Sequence, residues 1–157
     1  MNMLKLIITL LLVVLALALA YGFYRTWKTG TQPEYAEFLK GTIPAQMPEG
    51  LWNGSAPELG EISWKGKKFS TGTGINVFEK NGVKSEAYTF KFFETTSIKE
   101  SGMKVIRLDY GQKENPLWLR FIVDEMVSTG ENKFLGVVYI NAVPGLPFRM
   151  GYFRLQK

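Results

Sequence analysis

Four charged side chains in the second half of the chain, Arg107, Asp109, Arg120 and Asp124, stand at alternating positions within stretches of period-two hydrophobicity. Residues two apart share a face of a strand, so these four are expected to project together. Asp109 and Asp124 on neighbouring strands have the make-up of a carboxylate-dependent hydrolase, one acid and one nucleophile or base. An arginine on the same face offers a planar fork for a carboxylate ligand. The plainer alternative is an outward, solvated face with cross-strand ion pairs that contribute little each. Other chemistries are closed by composition. The chain has neither Cys nor His, which removes thiol nucleophiles, disulfides, imidazole acid–base devices and His-containing metal sites. No residue pattern calls for a metal or a cofactor, and none is expected. Residues 70–74, Ser-Thr-Gly-Thr-Gly, lack the Lys-Ser/Thr ending and the helix of a phosphate loop and read as a strand connection.

The aromatic residues carry a second signal. Tyr88, Phe90 and Phe92 alternate along one strand, and Phe121 follows in another. Together they could wall an apolar site, with Arg107 or Arg120 holding the polar end of a ligand. Candidate ligand-binding residues are therefore Tyr88, Phe90, Phe92, Arg107, Arg120 and Phe121. Such aromatics are ordinarily core. A ligand site needs some of them to line empty space, and a cavity of about 300 Å³ or more, open at one end, separates a ligand carrier from a packed interaction module.

Antiparallel strands must position these groups. The period-two pattern begins near residue 58 and runs to the end, with strands expected over residues 58–64, 75–80, 86–94, 103–110, 116–126, 134–141 and 148–155. Lys65-Gly66 reads as a turn into a further strand. Asn81-Gly82 is a strong hairpin signal, because a type I′ turn needs positive φ at both central positions. Thr31-Gln32-Pro33-Glu34 has the form of a capping box before a short helix ending at Gly41. About eight short strands after one short helix argue an all-β, up-and-down antiparallel barrel.

Residues 6–24 are 19 uncharged residues, about 28 Å as a helix at 1.5 Å per residue, which is enough to cross bilayer hydrocarbon. Tyr21, Tyr24 and Trp27 suit the headgroup layer, and Arg25 and Lys28 suit lipid phosphates. Ala18-Leu19-Ala20 also has the form of a signal-peptide cleavage site, but the run exceeds a typical signal core of about 7 to 15 residues. The expected organisation is an anchor or signal segment over residues 1–28, a short helix and linker over 29–48, and a barrel over 49–157. The formal charge of +5 does not mark a nucleic-acid binder. Three of the 19 basic residues flank the apolar run, leaving 16 against 14 acidic ones in the rest of the chain, and no concentrated basic face is expected.

Gly50-Leu51-Trp52-Asn53-Gly54 opens the barrel region. A tryptophan at the start of a first strand can plug the closed end of a small barrel, with a last-strand arginine, Arg149 or Arg154, stacked on its indole. Trp52, Arg149 and Arg154 are thus the expected fold-closing set. This arrangement resembles the calycins, the lipocalin and fatty-acid-binding barrels. The stretch Gly50-x-Trp52-x-Gly54, the segment Trp64-Lys65-Gly66-Lys67-Lys68-Phe69 and the C-terminal PFRMGYFRL also resemble the bacterial GXWXG family with its companion domain, over about residues 36–157. The resemblance implies a barrel and carries no activity. The functional expectation is a non-enzymatic barrel tethered to the bacterial cell membrane by residues 6–24, outside the cytoplasm, that binds an apolar or amphipathic small molecule such as a lipid. The alternatives are a filled-core structural or protein-docking module, the hydrolase named above and, for location, a periplasmic or secreted protein cleaved after Ala20.

Overall fold

The computed structural model describes residues 2–157. Two helices precede eight strands: α1 (Met3–Gly30), α2 (Pro33–Lys40), β1 (Gly50–Ser55), β2 (Trp64–Ser70), β3 (Thr73–Lys80), β4 (Val83–Thr96), β5 (Lys104–Asp109), β6 (Ile122–Gly130), β7 (Lys133–Ile140) and β8 (Phe148–Gln156). Each strand pairs antiparallel with the next and β8 pairs with β1, so the sheet closes as the expected barrel. The β8–β1 seam is short, Arg154 to Gln156 against Asn53 to Ser55, and the rest of β8 has no partner in β1.

The Asn81-Gly82 turn forms as expected, with φ of 53° and 77°. Four other expectations are corrected. Residues 58–63, expected as strand, form a loop behind an Ala56–Gly60 bridge, and the first strand is the one that carries Trp52. Lys65-Gly66 is no turn: β2 runs straight through it with a bulge between Trp64 and Gly66. Gly66, at φ 142°, lies so close to β1 that a Cβ there would sit 1.9 Å from the Trp52 carbonyl oxygen. Residues 116–121 are not strand, because Pro116 starts a turn that leads into a 3-10 helix over Leu119–Phe121 and β6 begins only at Ile122. The capping box does not form either. The Thr31 hydroxyl bonds back to the Lys28 carbonyl at the end of α1, and Pro33 opens α2 without a side-chain cap.

The inward faces of the strands pack Trp52, Phe69, Phe92, Phe134 and Leu155 at one end of the barrel. Aromatic rings lie directly over three inward glycines. The virtual Cβ of Gly54 meets the Trp64 ring at 2.4 Å, that of Gly74 meets Phe90 at 2.3 Å, and that of Gly136 meets Phe153 at 2.0 Å. Each glycine's missing side chain is filled by a ring.

A second core lies outside the barrel wall. Phe38 of α2 is fully buried against Val105, Val127, Leu135 and Val137. The end of α1 runs alongside β8 in the same direction: Gly22 and Phe23 touch Phe148, the Arg25 guanidinium donates to the Met150 carbonyl, and the Thr29 carbonyl accepts from the Tyr152 hydroxyl at 2.9 Å. The last turns of α1, assigned from sequence to the anchor, are therefore also packed on the barrel.

Candidate functional site

Alternation on β2, β3 and β6, together with the residue that follows β5, turns Lys67, Asn76, Asp124 and Tyr110 into the middle of the barrel. Lys67 and Asp124 are each 3 % exposed, and their ammonium and carboxylate meet at 3.0 Å. The Lys67 ammonium also donates to Asn76 Oδ1 at 2.9 Å and to the Tyr110 hydroxyl at 2.5 Å. All three of its protons are thereby used. Tyr110 donates in turn to Asp124 Oδ2 at 3.0 Å, and Asn76 Oδ1 accepts from the Trp64 indole at 3.0 Å. The rings of Trp64, Phe90, Tyr110 and Phe153 stand 4.9 to 5.5 Å from the ammonium and add cation–π attraction.

Burial pulls the Lys67 ammonium below its ordinary pKa, while the charge and hydrogen bond of Asp124 oppose that fall. The Tyr110 hydroxyl is held well above its ordinary value, first by burial and then by the Asp124 charge. Both protein hydrogen bonds to Asp124 end on Oδ2; Oδ1 receives none among the described residues. The ion pair is internally neutral and keeps one open acceptor.

This cluster is the floor of a cavity of about 340 Å³ whose walls include Phe78, Tyr88, Leu119, Ile122, Val138 and Phe153. Below the floor the barrel is solid. Above it the cavity opens between the β1–β2 loop, the β5–β6 loop and α1, where Arg25 and Glu58 pair at 2.6 Å. Asn115 clips the β5–β6 loop to the rim by donating to the carbonyls of Thr89 and Tyr110, at 2.7 and 2.8 Å. Leu119 of that loop points inward.

The sequence candidates scatter over this frame. Tyr88 lines the cavity, its ring edge-on to Phe78 and to Trp118. Phe90 and Phe92 are buried in the core against Phe69, and Phe121 is partly exposed on the 3-10 helix outside the cavity. Arg107 lies on the outer face, paired with buried Glu125 at 3.0 Å. Arg120 is spent on the Asn115 and Lys113 carbonyls, stiffening the loop. The expected single charged face divides for a geometric reason. Leu108 pairs with Asp124 and Asp109 with Val123, so Asp124 points inward while Arg107 and Asp109 point outward. Asp109 caps the Gly111 amide at 2.8 Å. The two carboxylates of the hydrolase reading thus face opposite sides of the wall and do not converge on one bond.

Trp52 is buried at the solid end, 4.8 Å from the Phe134 ring, with its indole donating to the Glu49 carbonyl. Its cationic neighbour is Lys157, at 5.5 Å. Arg149 and Arg154, of opposite parity, both face outward on β8 because the β7–β8 register shifts between Val138 and Tyr139. Arg149 stacks on Tyr35 at 4.1 Å and pairs with Glu100, while Arg154 forks onto Glu37 of α2 at 2.7 and 2.8 Å. They tie α2 and the β4–β5 loop to the wall. Lys67, Asn76, Tyr110 and Trp64 were not singled out as ligand residues from sequence. The available signal was the shared parity of Lys67 with Phe69, which the supposed turn at Lys65-Gly66 concealed.

The molecule is thus a closed eight-stranded antiparallel barrel with a half-filled interior, preceded by a helix apolar and long enough to cross a membrane. No family model and no curated protein matches the chain. Among solved structures it resembles the crystal structure of a protein from Thermomonospora curvata, at 17 % identity and a TM-score of 0.58, over 91 % of this chain and 95 % of the other. That likeness lies in the fold.

Proposed function

We propose that this protein is a membrane-tethered barrel that holds an apolar molecule bearing one hydrogen-bond-donating polar group, such as a long-chain alcohol. The observation that carries the reading is the cavity of about 340 Å³ with an apolar wall and a neutral polar floor, within the range of about 300 to 1,000 Å³ of small-molecule sites. The open acceptor at Asp124 Oδ1 favours a hydroxyl. A carboxylate head would meet that same anion with every Lys67 proton already engaged, so the arginine-held fatty acid expected from sequence gives way to a neutral amphiphile. The floor groups are engaged with one another, Lys67 and Tyr110 both donating to Asp124, and the reading is of a carrier or sensor rather than an enzyme. The apolar run of α1 supplies the tether, with the barrel outside the cytoplasm.

The test is titration of the full chain, in a non-competing neutral amphipol, with decan-1-ol and with decanoate, followed by Trp fluorescence and calorimetry. Saturable binding of the alcohol, at least tenfold tighter than the acid, is the expected result. Tighter binding of decanoate would overturn the donor-head reading. Absence of saturable binding for both at micromolar protein would replace the carrier with the docking module.

A further inference from the structure

The direction in which α1 leaves the barrel relates the cavity to the membrane. Residues 3–21 of α1 are exposed, apart from half-buried Leu19, and, with the exception of Lys5, uncharged. From Gly22 onward the helix lies on β8, starting at Phe148, the first residue of that strand. Phe148 pairs with Ile140 and Ile140 with Ile122, so this is the end at which β7 stops and β6 starts, the open end of the cavity. The apolar part of α1 therefore projects past the mouth and not past the solid end. Its 19 residues reach about 28 Å beyond it.

The loops at the two ends differ in the same sense. All four open-end connections carry exposed large apolar side chains: Leu59 in β1–β2, Val83 at the β3–β4 hairpin, Leu117, Trp118 and Phe121 in β5–β6, and Val143 in β7–β8, between 38 % and 69 % exposed. At the solid end the strand connections 71–72, 97–103 and 131–132 carry none among the described residues, and the α2–β1 connection, residues 41–49, carries one, Met47. Exposed Lys80, Lys84 and Lys113 stand beside the apolar tips together with exposed Glu61 and Glu114, so the rim is mixed in charge and the lysines are available to lipid phosphates. Phe23, edge-on to Phe148 at 5.3 Å, joins helix and rim in one collar. A ring of apolar tips that surrounds a mouth, on the side from which a membrane-length helix departs, fits one partner: the interfacial layer of the bilayer that the helix crosses.

We infer that the open end of the barrel is seated in the headgroup layer of the anchoring membrane, so that a leaflet amphiphile meets the cavity head first. The second half of this inference rests on the ligand reading above; the docking half does not. An amphiphile in that leaflet keeps its polar group at the interface, nearest the mouth. Drawn into the barrel, the group reaches the Lys67–Asp124 floor, apolar body along Phe78, Tyr88 and Val138, tail left in the bilayer. The order of the cavity, a polar floor, then an apolar wall, then a mouth edged by the Arg25–Glu58 pair and the apolar loop tips, suits a molecule drawn head first from the leaflet. A cavity of about 340 Å³ then needs to hold only the head and the first part of the tail.

Because the chain has no cysteine, single nitroxide labels can be introduced without background. Leu59→Cys, Val83→Cys, Leu117→Cys and Val143→Cys report the open end, and Thr71→Cys and Glu131→Cys the solid end. The labelled full chain is reconstituted in nanodiscs of phosphatidylcholine with one quarter phosphatidylglycerol, and spin relaxation by oxygen and by a water-soluble nickel chelate is read at each site. The expected result is an oxygen-to-nickel accessibility ratio at the open-end sites at least threefold above that at the solid-end sites, with circular dichroism unchanged. Equal ratios at the two ends, or nickel access at three or more of the open-end sites, would overturn the seating and leave the rim to a protein partner. Alcohol titration of the same samples separates the readings: a seated rim with no saturable binding removes the carrier and leaves the docking in place.

Discussion

Lys67→Met removes the ammonium from the cavity floor and nearly preserves side-chain volume. It leaves the Asp124 carboxylate, 3 % exposed, with Tyr110 as its one hydrogen-bond donor. Breaking a buried pair by deleting one partner costs about 3 to 5 kcal/mol, because the surviving charge stays desolvated. At about 2 to 4 °C per kcal/mol for a chain of this size, the melting temperature should fall by about 6 to 20 °C. The compensating variant Lys67→Met with Asp124→Leu removes both charges and should regain most of that loss, since an apolar replacement of a buried pair is often neutral or stabilising. The assay is thermal unfolding by circular dichroism of the full chain in one amphipol, with decan-1-ol titration of each variant. The double variant should be folded and yet lose alcohol binding by tenfold or more. A single-variant loss below about 1 kcal/mol would refute the assignment of a desolvated pair. A stable double variant that binds the alcohol as tightly as the parent would refute the floor as the recognition element.

Trp52→Ala should cost about 3 to 5 kcal/mol in denaturant unfolding, since the indole is buried against Phe134, and a double-mutant cycle should show no coupling of Trp52 to Arg154, which sits on the outer face. The hydrogen bond and charge of Arg154 hold the Glu37 carboxyl below its ordinary 4.5. Its contribution is fully present above pH 4.5 and lost as pH falls through the lower folded value, so Glu37→Gln should flatten the melting temperature against pH below 4.5 relative to the parent. Deleting residues 1–20 should leave a folded barrel with a near-parental melting temperature in neutral detergent. Deletion through Trp27 strips Phe148 and Met150 of their cover and should lower it measurably; equal melting temperatures for the two truncations would refute the packing of α1 on β8. Gly66→Ala should prevent folding or cost more than any surface change, because a Cβ there collides with the Trp52 carbonyl.

The barrel and its strand count were legible because one face of every strand is core, which forces the period-two pattern. The hairpin at Asn81-Gly82 was legible because its backbone demands those residues. What failed depends on single-residue irregularities. The bulge at Gly66 shifts parity by one and hides Lys67 as an inward residue. Pro116 breaks what looks like continuous alternation, so Arg120 and Phe121 left the strand to which their spacing assigned them. The polar floor was further obscured because a lysine facing a barrel interior is unusual, and what makes it tolerable, the joint presence of Asp124, Tyr110 and Asn76 from elsewhere in the wall, exists only after closure. Trp52 is buried beside Phe134 with Lys157 as its cationic neighbour, and the irregularity in the β7–β8 ladder, which alternation alone does not foretell, lets Arg149 and Arg154 both face away from the interior.

A ring that lies over an inward glycine gives this barrel a means of changing capacity in small steps. Trp64 and Phe153 bound the cavity, and each is seated on the bare backbone of a neighbouring strand, at Gly54 and Gly136. At Gly136 an added methyl group meets the Phe153 ring as its nearest neighbour and pushes it off that seat toward the empty space, whereas at Gly54 it also meets the Gly66 backbone at 2.7 Å. Chamber size is thus adjustable at Gly136 through a side chain alone. Descendants of this chain could come to prefer a slimmer guest through a one-carbon change at a position that never touches it.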